Sequence, residues 1–457
     1  MKLLMLVIFF AIMVSVGIYA RKHATSVDGY VLGGRSVGPW LTAFAYGTSY
    51  FSAVVFVGYA GQFGWKYGLA STWIGIGNAI IGSLLAWVVL GRRTKVMTQH
   101  LNSKTMPDFF GERYGSKALK ITASAIVFIF LVPYTASVYN GLSRLFGMAF
   151  NIPYKYCVIG MAVFTGIYVI LGGYMATAIN DFIQGIIMLG GIVAVILAVL
   201  NGQGGFIQAI KAMAEIPSDV PVTMGQPGAF TSFFGPDPLN LLGVVILTSL
   251  GTWGLPQMVG KFYAIKDEKS INTGTVISTL FAIVISGGCY FLGGFGRLFD
   301  AAELHDEAGN MIFDGIIPHM LSTLPDILIG IVVVLVLSAS MSTLASLVLT
   351  SSSTLTLDFL KDNVMKDMSE TKQVRTMQVM VVFFIVLSVV IAMDPPTFIA
   401  QLMGISWGAL AGAFLAPFMY GLYWKGVTRA AVWASFAAGV GITVLNLFFH
   451  FIASPIN

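Results

Sequence analysis

Charge is what this sequence lacks most. Asp, Glu, Lys and Arg make up only 10% of its 457 residues, against about a quarter in a soluble protein. An ordinary soluble enzyme, a disordered chain and a nucleic-acid-binding domain are excluded on that ground. Cysteine is also scarce. Cys157 and Cys289 both lie in apolar runs, which predicts free thiols and no disulfide. The five histidines show no metal-ligand spacing and no accompanying Cys–His cluster. What fills the chain instead is apolar: 57% hydrophobic residues, 13% aromatics and a mean hydropathy of +0.85. Glycine is abundant at 51 residues, which suits helices that pack closely or break inside a bilayer.

A spanning helix takes roughly 20 apolar residues. Apolar runs bounded by charge or by Gly/Pro fall at 3–20, 40–63, 68–91, 119–149, 154–175 and 178–200. A second set falls at 239–262, 271–295, 327–357, 376–393, 397–423 and 428–452. The reading is an all-α integral membrane protein of about 12 transmembrane helices. A strand reading fails, because these runs are far longer than the roughly ten residues of a membrane β-strand.

Charge orients the spans. Lys2 precedes the first run, but Arg21, Lys22 and His23 follow it, which favours a retained helix with its N-terminus outside. Most Lys and Arg then fall in inside loops, with the largest cluster at Arg92, Arg93, Lys95, Lys104, Arg113, Lys117 and Lys120. Lys2, Lys66, Lys155, Lys211 and Arg297 fall outside, and Arg144 lies near an outer helix end. The loop around 297–326 is acidic, with Asp300, Glu303, Asp306, Glu307 and Asp314. The inside loop 92–118 carries Met106, Phe109 and Phe110 and reads either as a short interfacial helix or as a solvated connector. The outside loop 201–238, rich in Gly and Pro, reads either as a lid or as a solvated connector.

Three spans are poor helices, and irregular backbone at membrane depth marks function. Span 2 contains GTSYFSAVVFVGYAG (47–61), where Gly47, Thr48, Ser49 and Ser52 favour unwinding and free carbonyls. Span 7 contains SLGTWGLPQMVGKFYAIKD (249–267), where Pro256 disturbs a turn already weakened by Gly251 and Gly254. Two interrupted helices, each opening a group of about five spans, match the signature of an inverted-repeat transporter with its sites near the midplane, and ordinary Gly/Ser helix packing is the alternative reading of each segment. Span 9 reads LSASMSTLASLVLTSSSTLTLDF (337–359) and is crowded with hydroxyls. Ser342 and Ser346 share a face, and Ala339 lies one turn before Thr343. Neutral oxygens without an adjacent carboxylate suit a weakly held monovalent cation, and helix–helix hydrogen bonding is the alternative use. Asp181, in GGYMATAINDFIQG (172–185), is an acid at the inner start of span 6. It serves either function or an N-terminal cap.

These segments resemble the sodium:solute symporter family, which includes bacterial sodium/proline and sodium/pantothenate symporters. The most specific matches are SASMSTLAS (338–346), GGYMATAINDFIQG (172–185), YTASVYNGLSRLF (134–146) and GLPQMVGKFYAIKD (254–267), in family order. The resemblance implies a LeuT-like core of two inverted five-helix repeats with broken first and sixth core helices. Within a single transporter domain, 1–457, it implies a peripheral helix at 3–20, repeats at 40–200 and 239–423, and a second peripheral helix at 428–452. It implies a sodium site made by the carbonyls of Thr48, Phe51 and Ala339 and the hydroxyls of Ser342 and Thr343. Asp181, Ser342 and Ser346 match a second sodium or coupling set found in some members. Ala345 stands where those members carry another Ser, so one sodium per cycle is expected. The implied solute lining is Tyr50, Val55, Ser249, Thr252, Trp253, Gln257, Gln401 and Trp407. Proline symporters carry Asp at the position of Tyr50, so this lining does not indicate proline.

The resulting expectation is a sodium-coupled secondary symporter, not an enzyme. It imports a small organic solute (an amino acid, organic acid or vitamin-like molecule) by alternating access in the cell membrane. Its expected partners are that solute, Na+ and the lipid bilayer, with no nucleic acid, no obligatory protein partner and no cofactor beyond Na+ as coupling ion. A channel would need a filter ring or pore loop, and a transporter-like sensor an attached signalling domain. Neither is evident.

Overall fold

A computed structural model describes residues 2–394, 396 and 399–449. The start of the expected span at 397–398 and the end of the last at 450–452 lie outside the described residues. Among the described residues the protein is all-helical; the β-type pairings are two isolated bridges, Val37 with Ile265 and His305 with Met311. By length and hydropathy nine helices among the described residues can cross a membrane, or ten if the bent pair Pro238–Gly254 and Pro256–Ala264 is one span. That measure does not return the twelve spans expected. Two of its long runs, Val54–His100 and Tyr154–Gly202, turn sharply within themselves, at Gly68 (φ 60°) and Gly173 (φ 52°). Both glycines sit in the left-handed region that a side chain resists.

The first broken helix is legible from its residues. Pro39 opens it at the position where a missing N–H costs nothing. The helix runs Pro39–Tyr50 and stops at Phe51, whose φ of −108° and ψ of 87° leave the helical region. Ser52 restarts the chain by accepting from the Val54 N–H at 3.1 Å. A widened turn, Val54–Tyr59, then leads into Ala60–Tyr67. The second break follows Pro238–Leu250 and a tight turn, Gly251–Gly254. Leu255, forced toward extended backbone by the following proline, sits at φ −86° and ψ 121°, and Pro256–Ala264 departs at 51°.

The hydroxyl-rich helix Asp326–Thr354 is buried along most of its length. It packs on Tyr154–Gly202, on Lys117–Phe150 and on the first broken helix. Glu268–Gly293 packs closely on the first broken helix: a Cβ on Gly64 would lie 2.0 Å from the Gly293 carbonyl oxygen. Lys2–Ala20 lies against Tyr154–Gly202 with Leu3, Leu4, Val7 and Ile8 exposed. Glu370–Met393 exposes Val379, Val382, Phe383, Val386 and Val390. Apolar stripes at this spacing on a membrane helix face lipid.

The inside loop differs from expectation. It forms Arg92–His100 and Met106–Tyr114, the latter capped by Thr105, whose hydroxyl accepts from the Asp108 N–H at 3.1 Å. Met106, Phe109 and Phe110 do not face a membrane interface; they are buried in the protein. Phe109 meets Phe418 at 4.7 Å, and Phe110 meets Phe414 at 5.4 Å and Phe436 at 5.3 Å. Edge-on and tilted ring contacts with two neighbouring helices take up the whole apolar face. At the opposite end, the 201–238 segment folds into a helix, Phe206–Glu215, followed by turns. Arg297 holds it by a two-pronged bond to Asp219 at 3.1 and 2.7 Å and by donating to the Trp65 carbonyl at 2.7 Å.

Candidate functional site

The break at Phe51 frees carbonyl oxygens at a helix end, and the hydroxyl helix lies directly against them. Ser342 Oγ donates to the Thr48 carbonyl at 3.0 Å and lies 3.1 Å from the Ala339 carbonyl. Thr343 Oγ1 reaches the carbonyls of Thr48 at 3.2 Å, Ser49 at 3.4 Å and Ala339 at 3.1 Å. Thr48, Ser342 and Thr343 are fully buried, and Phe51 and Ala339 nearly so. Four of the five expected ligand groups thus converge within hydrogen-bond distance, and Phe51 is the residue at which the helix stops. The set is neutral oxygen throughout. No group of three or more His, Cys, Asp or Glu able to hold a metal occurs among the described residues, so a tight divalent site is not built here.

The expected solute-lining residues separate into three places. Tyr50 donates its hydroxyl to the Thr248 carbonyl at 2.6 Å, stacks on Phe51 at 4.3 Å and lies 6.1 Å from Trp407. Trp407 in turn presses on the second break, since a Cβ on Gly251 would sit 3.2 Å from its ring. Beside that break, Ser249 donates to Asn78 Oδ1 at 3.1 Å and Thr252 to the Ser249 carbonyl at 2.9 Å. Trp253 donates to the Ile81 carbonyl at 3.0 Å. Val55 is buried in the widened turn just past the first break. These residues surround the point where the two broken helices approach each other.

Gln401 and Gln257 lie elsewhere. Gln401 is six residues before Trp407 on Ile399–Tyr423, about 9 Å nearer that helix's start. Gln257 lines a narrow cavity of about 50 Å³, shared with Lys104, Thr105, Tyr174, Lys261 and Ser346, that leads toward the basic loops. Its amide is buried with no hydrogen-bond partner among the described residues.

Asp181 is not a cap. It lies inside Tyr154–Gly202, eight positions past the Gly173 turn, and is fully buried. Ser346, expected as its companion, shares a 2.7 Å hydrogen bond with Ser49 Oγ and accepts from Lys261 Nζ at 2.8 Å. The same ammonium lies 3.9 Å from Asp181 Oδ2. Sequence reasoning missed Lys261 and Ser49 as members of this group. The available signal was a lysine inside the apolar run 239–262, an expensive position unless it is paired. At the acidic end, Arg144 donates to Asn140 Oδ1 at 3.0 Å and lies 3.9 Å from Asp314 Oδ2, which accepts from the Ile399 N–H at 3.2 Å.

Two broken helices, with buried oxygens at one break and aromatic side chains at their junction, define a cation-coupled membrane transporter. The family model for the sodium:solute symporter family matches residues 30–439. Sodium/proline symporters of Staphylococcus aureus strains JH9 and NCTC 8325 / PS 47 are each 31% identical over 457 residues, covering 97% of this chain and 85% of theirs. The fold matches that of a Na+-coupled sialic acid symporter in its substrate-bound outward-open state. The TM-score is 0.82 at 16% identity, covering 98% of this chain and 92% of that one. The chain belongs to the sodium:solute symporter family. It is a membrane protein and a Na+-coupled symporter of a small solute, not an enzyme.

Proposed function

We propose that Na+ binds at the first helix break, on the carbonyls of Thr48, Phe51 and Ala339 and the hydroxyls of Ser342 and Thr343. The observation that carries this reading is the convergence of Ser342 and Thr343 on the Thr48 and Ala339 carbonyls at 3.0–3.2 Å. A small monovalent cation would replace those direct hydroxyl–carbonyl bonds with ion–oxygen contacts. It would tie residues 40–200, read as the first repeat, to residues 239–423, read as the second. The solute would sit beside the ion, at the junction lined by Tyr50, Val55, Ser249, Thr252, Trp253 and Trp407. The cavity ending at Gln257 would serve as the release route toward the basic side, read as cytoplasmic, which places the N-terminus outside the cell membrane.

The cluster of Tyr50, Phe51 and Trp407 supports a compact solute with an apolar face, held by hydroxyl and carbonyl groups. The relatives named sodium/proline symporters make an amino acid the first candidate class. Tyr50 argues against recognition identical to theirs. An organic acid or vitamin-like solute fits the same lining.

Ion binding favours whichever state it contacts better; equal affinity would shift nothing. One charge crossing about 100 mV contributes about 2.3 kcal/mol to accumulation. The test is uptake of a panel of amino acids, organic acids and vitamins into proteoliposomes, with and without an inward Na+ gradient. Na+-driven accumulation that is lost in the Ser342→Ala, Thr343→Ala double variant supports the site. Full accumulation by that variant overturns it.

A further inference from the structure

We infer that Lys261 is a built-in cation: its ammonium fills a second cation position formed by Asp181, Ser346 and Tyr174, and closes that position to a second Na+. This inference rests on the proposed Na+ site and deepens it by specifying the coupling stoichiometry and its cause.

Lys261 lies on Pro256–Ala264, just past the second break, and is 3% exposed. Its ammonium meets two other helices directly. It donates to Ser346 Oγ at 2.8 Å on the hydroxyl helix, and lies 3.9 Å from Asp181 Oδ2 and 5.3 Å from the Tyr174 ring centre on Tyr154–Gly202. Through Ser346 it reaches Ser49 Oγ, 2.7 Å further on, in the last turn before the first break. Ser49 follows Thr48, whose carbonyl accepts from both Ser342 and Thr343. The ammonium therefore stands behind the proposed Na+ site, one residue removed along the chain.

A carboxylate, a hydroxyl and an aromatic face form a coordination set for one positive charge. Both Asp181 oxygens are fully buried and receive no hydrogen bond among the described residues, so the Lys261 charge at 3.9 Å is the compensation they have there. A buried carboxylate without such compensation is strongly disfavoured. Access does not protect the position, because the cavity lined by Lys104, Thr105, Gln257 and Lys261 leads to it. Charge does. A free Na+ entering between Asp181 and Ser346 would set two positive charges against one carboxylate in a low-dielectric interior. The ammonium cannot leave, since it is tethered to its helix, so it adds no transported ion. One Na+ per solute follows.

The test is equilibrium ²²Na+ binding to the purified full chain, paired with the Na+ dependence of solute uptake in proteoliposomes. The wild type is expected to bind one Na+ and to show a Hill coefficient of about 1. Lys261→Met, which leaves Asp181 uncompensated, is expected to bind a second Na+ and raise the coefficient to about 2. Lys261→Arg, and Lys261→Met combined with Asp181→Asn, are expected to remain at one. Two Na+ bound by the wild type overturns the inference and leaves the proposed Na+ site intact. No Na+ bound by the wild type overturns both. A Lys261→Met protein that folds and still binds one Na+ also overturns the inference. If that variant fails to fold, the wild-type count and the Lys261→Arg count decide: one each supports the inference, and two in either overturns it.

Discussion

The Ser342 hydroxyl and the Thr48 carbonyl meet at 3.0 Å, although 294 positions separate them. This contact joins a helix that stops at Phe51 to one crowded with hydroxyls. The stop supplies an acceptor outside the regular helical ladder, and the facing helix supplies donors that a cation can displace. With Na+ at the proposed site, ion binding and the closeness of the two helices would be one event.

Removing those hydroxyls should weaken Na+ without unfolding the protein. Ser342→Ala and Thr343→Ala are each expected to raise the Na+ concentration for half-maximal uptake about tenfold, equivalent to about 1.4 kcal/mol. Na+-titrated uptake measures this directly. Unchanged half-saturation in both variants would remove these hydroxyls from the site.

Asp314, on the acidic side and outside the membrane-spanning segments, should carry a pH signature. Burial holds its carboxyl above the usual carboxylate range, opposed by Arg144 and by the Ile399 N–H. A folded-state value raised above the unfolded one means that the folded protein holds this proton more tightly. Its contribution is then present at acid pH and is lost as pH rises through the folded value. The wild type should therefore gain stability relative to Asp314→Asn as pH falls through the window just above the ordinary carboxylate range. Melting temperatures of the two proteins against pH test this, and parallel curves would count against it.

Arg297 should govern the order of the 201–238 segment. Its guanidinium bonds Asp219 and the Trp65 carbonyl and lies 3.8 Å from the Phe230 ring centre. Arg297→Ala removes charge-assisted bonds worth about 1.5–3 kcal/mol. Limited proteolysis should then cut within 201–238 faster than in the wild type. Arg297→Lys should rescue only partly, because an ammonium cannot reproduce the paired fork. Equal protection in all three proteins would show that the segment is held by other means.

Gly173 should be intolerant of any side chain. Its φ is 52°, and a Cβ there would lie 2.7 Å from the Tyr30 carbonyl oxygen. The left-handed backbone alone costs about 1–2 kcal/mol, and the clash adds to it. Gly173→Ala is expected to melt earlier than the wild type in a detergent thermal-stability assay. Because this turn positions the helix that carries Asp181, its Na+ affinity should change as well. A wild-type melting curve would mean that the turn adapts freely.

The residues alone determined the class of protein, the two helix breaks and the hydroxyl helix. Each of these is written in local chemistry: scarce charge, Pro256 after two glycines, small polar residues at 47–52, and Ser342 and Thr343 beside Ala339. Periodicity and backbone propensity act over a few residues, so such signals can be read in place. The family resemblance carried the remaining proposed Na+ ligands. The tertiary structure decided what no local signal encodes. Met106, Phe109 and Phe110 read as a membrane-surface face, yet they are covered by Phe414, Phe418 and Phe436, more than 300 residues away. The eight expected solute residues separated, with Gln257 lining a cavity away from the Tyr50–Trp407 ring contact. In the sequence Lys261 belongs to no motif of its own, and Asp181 reads either as a functional acid or as a cap. Only the packing of the two broken helices against Tyr154–Gly202 and Asp326–Thr354 set the ammonium between that acid and Ser346. Pairing between charges 80 positions apart depends on how helices cross, and a linear pattern of residue types does not contain that geometry.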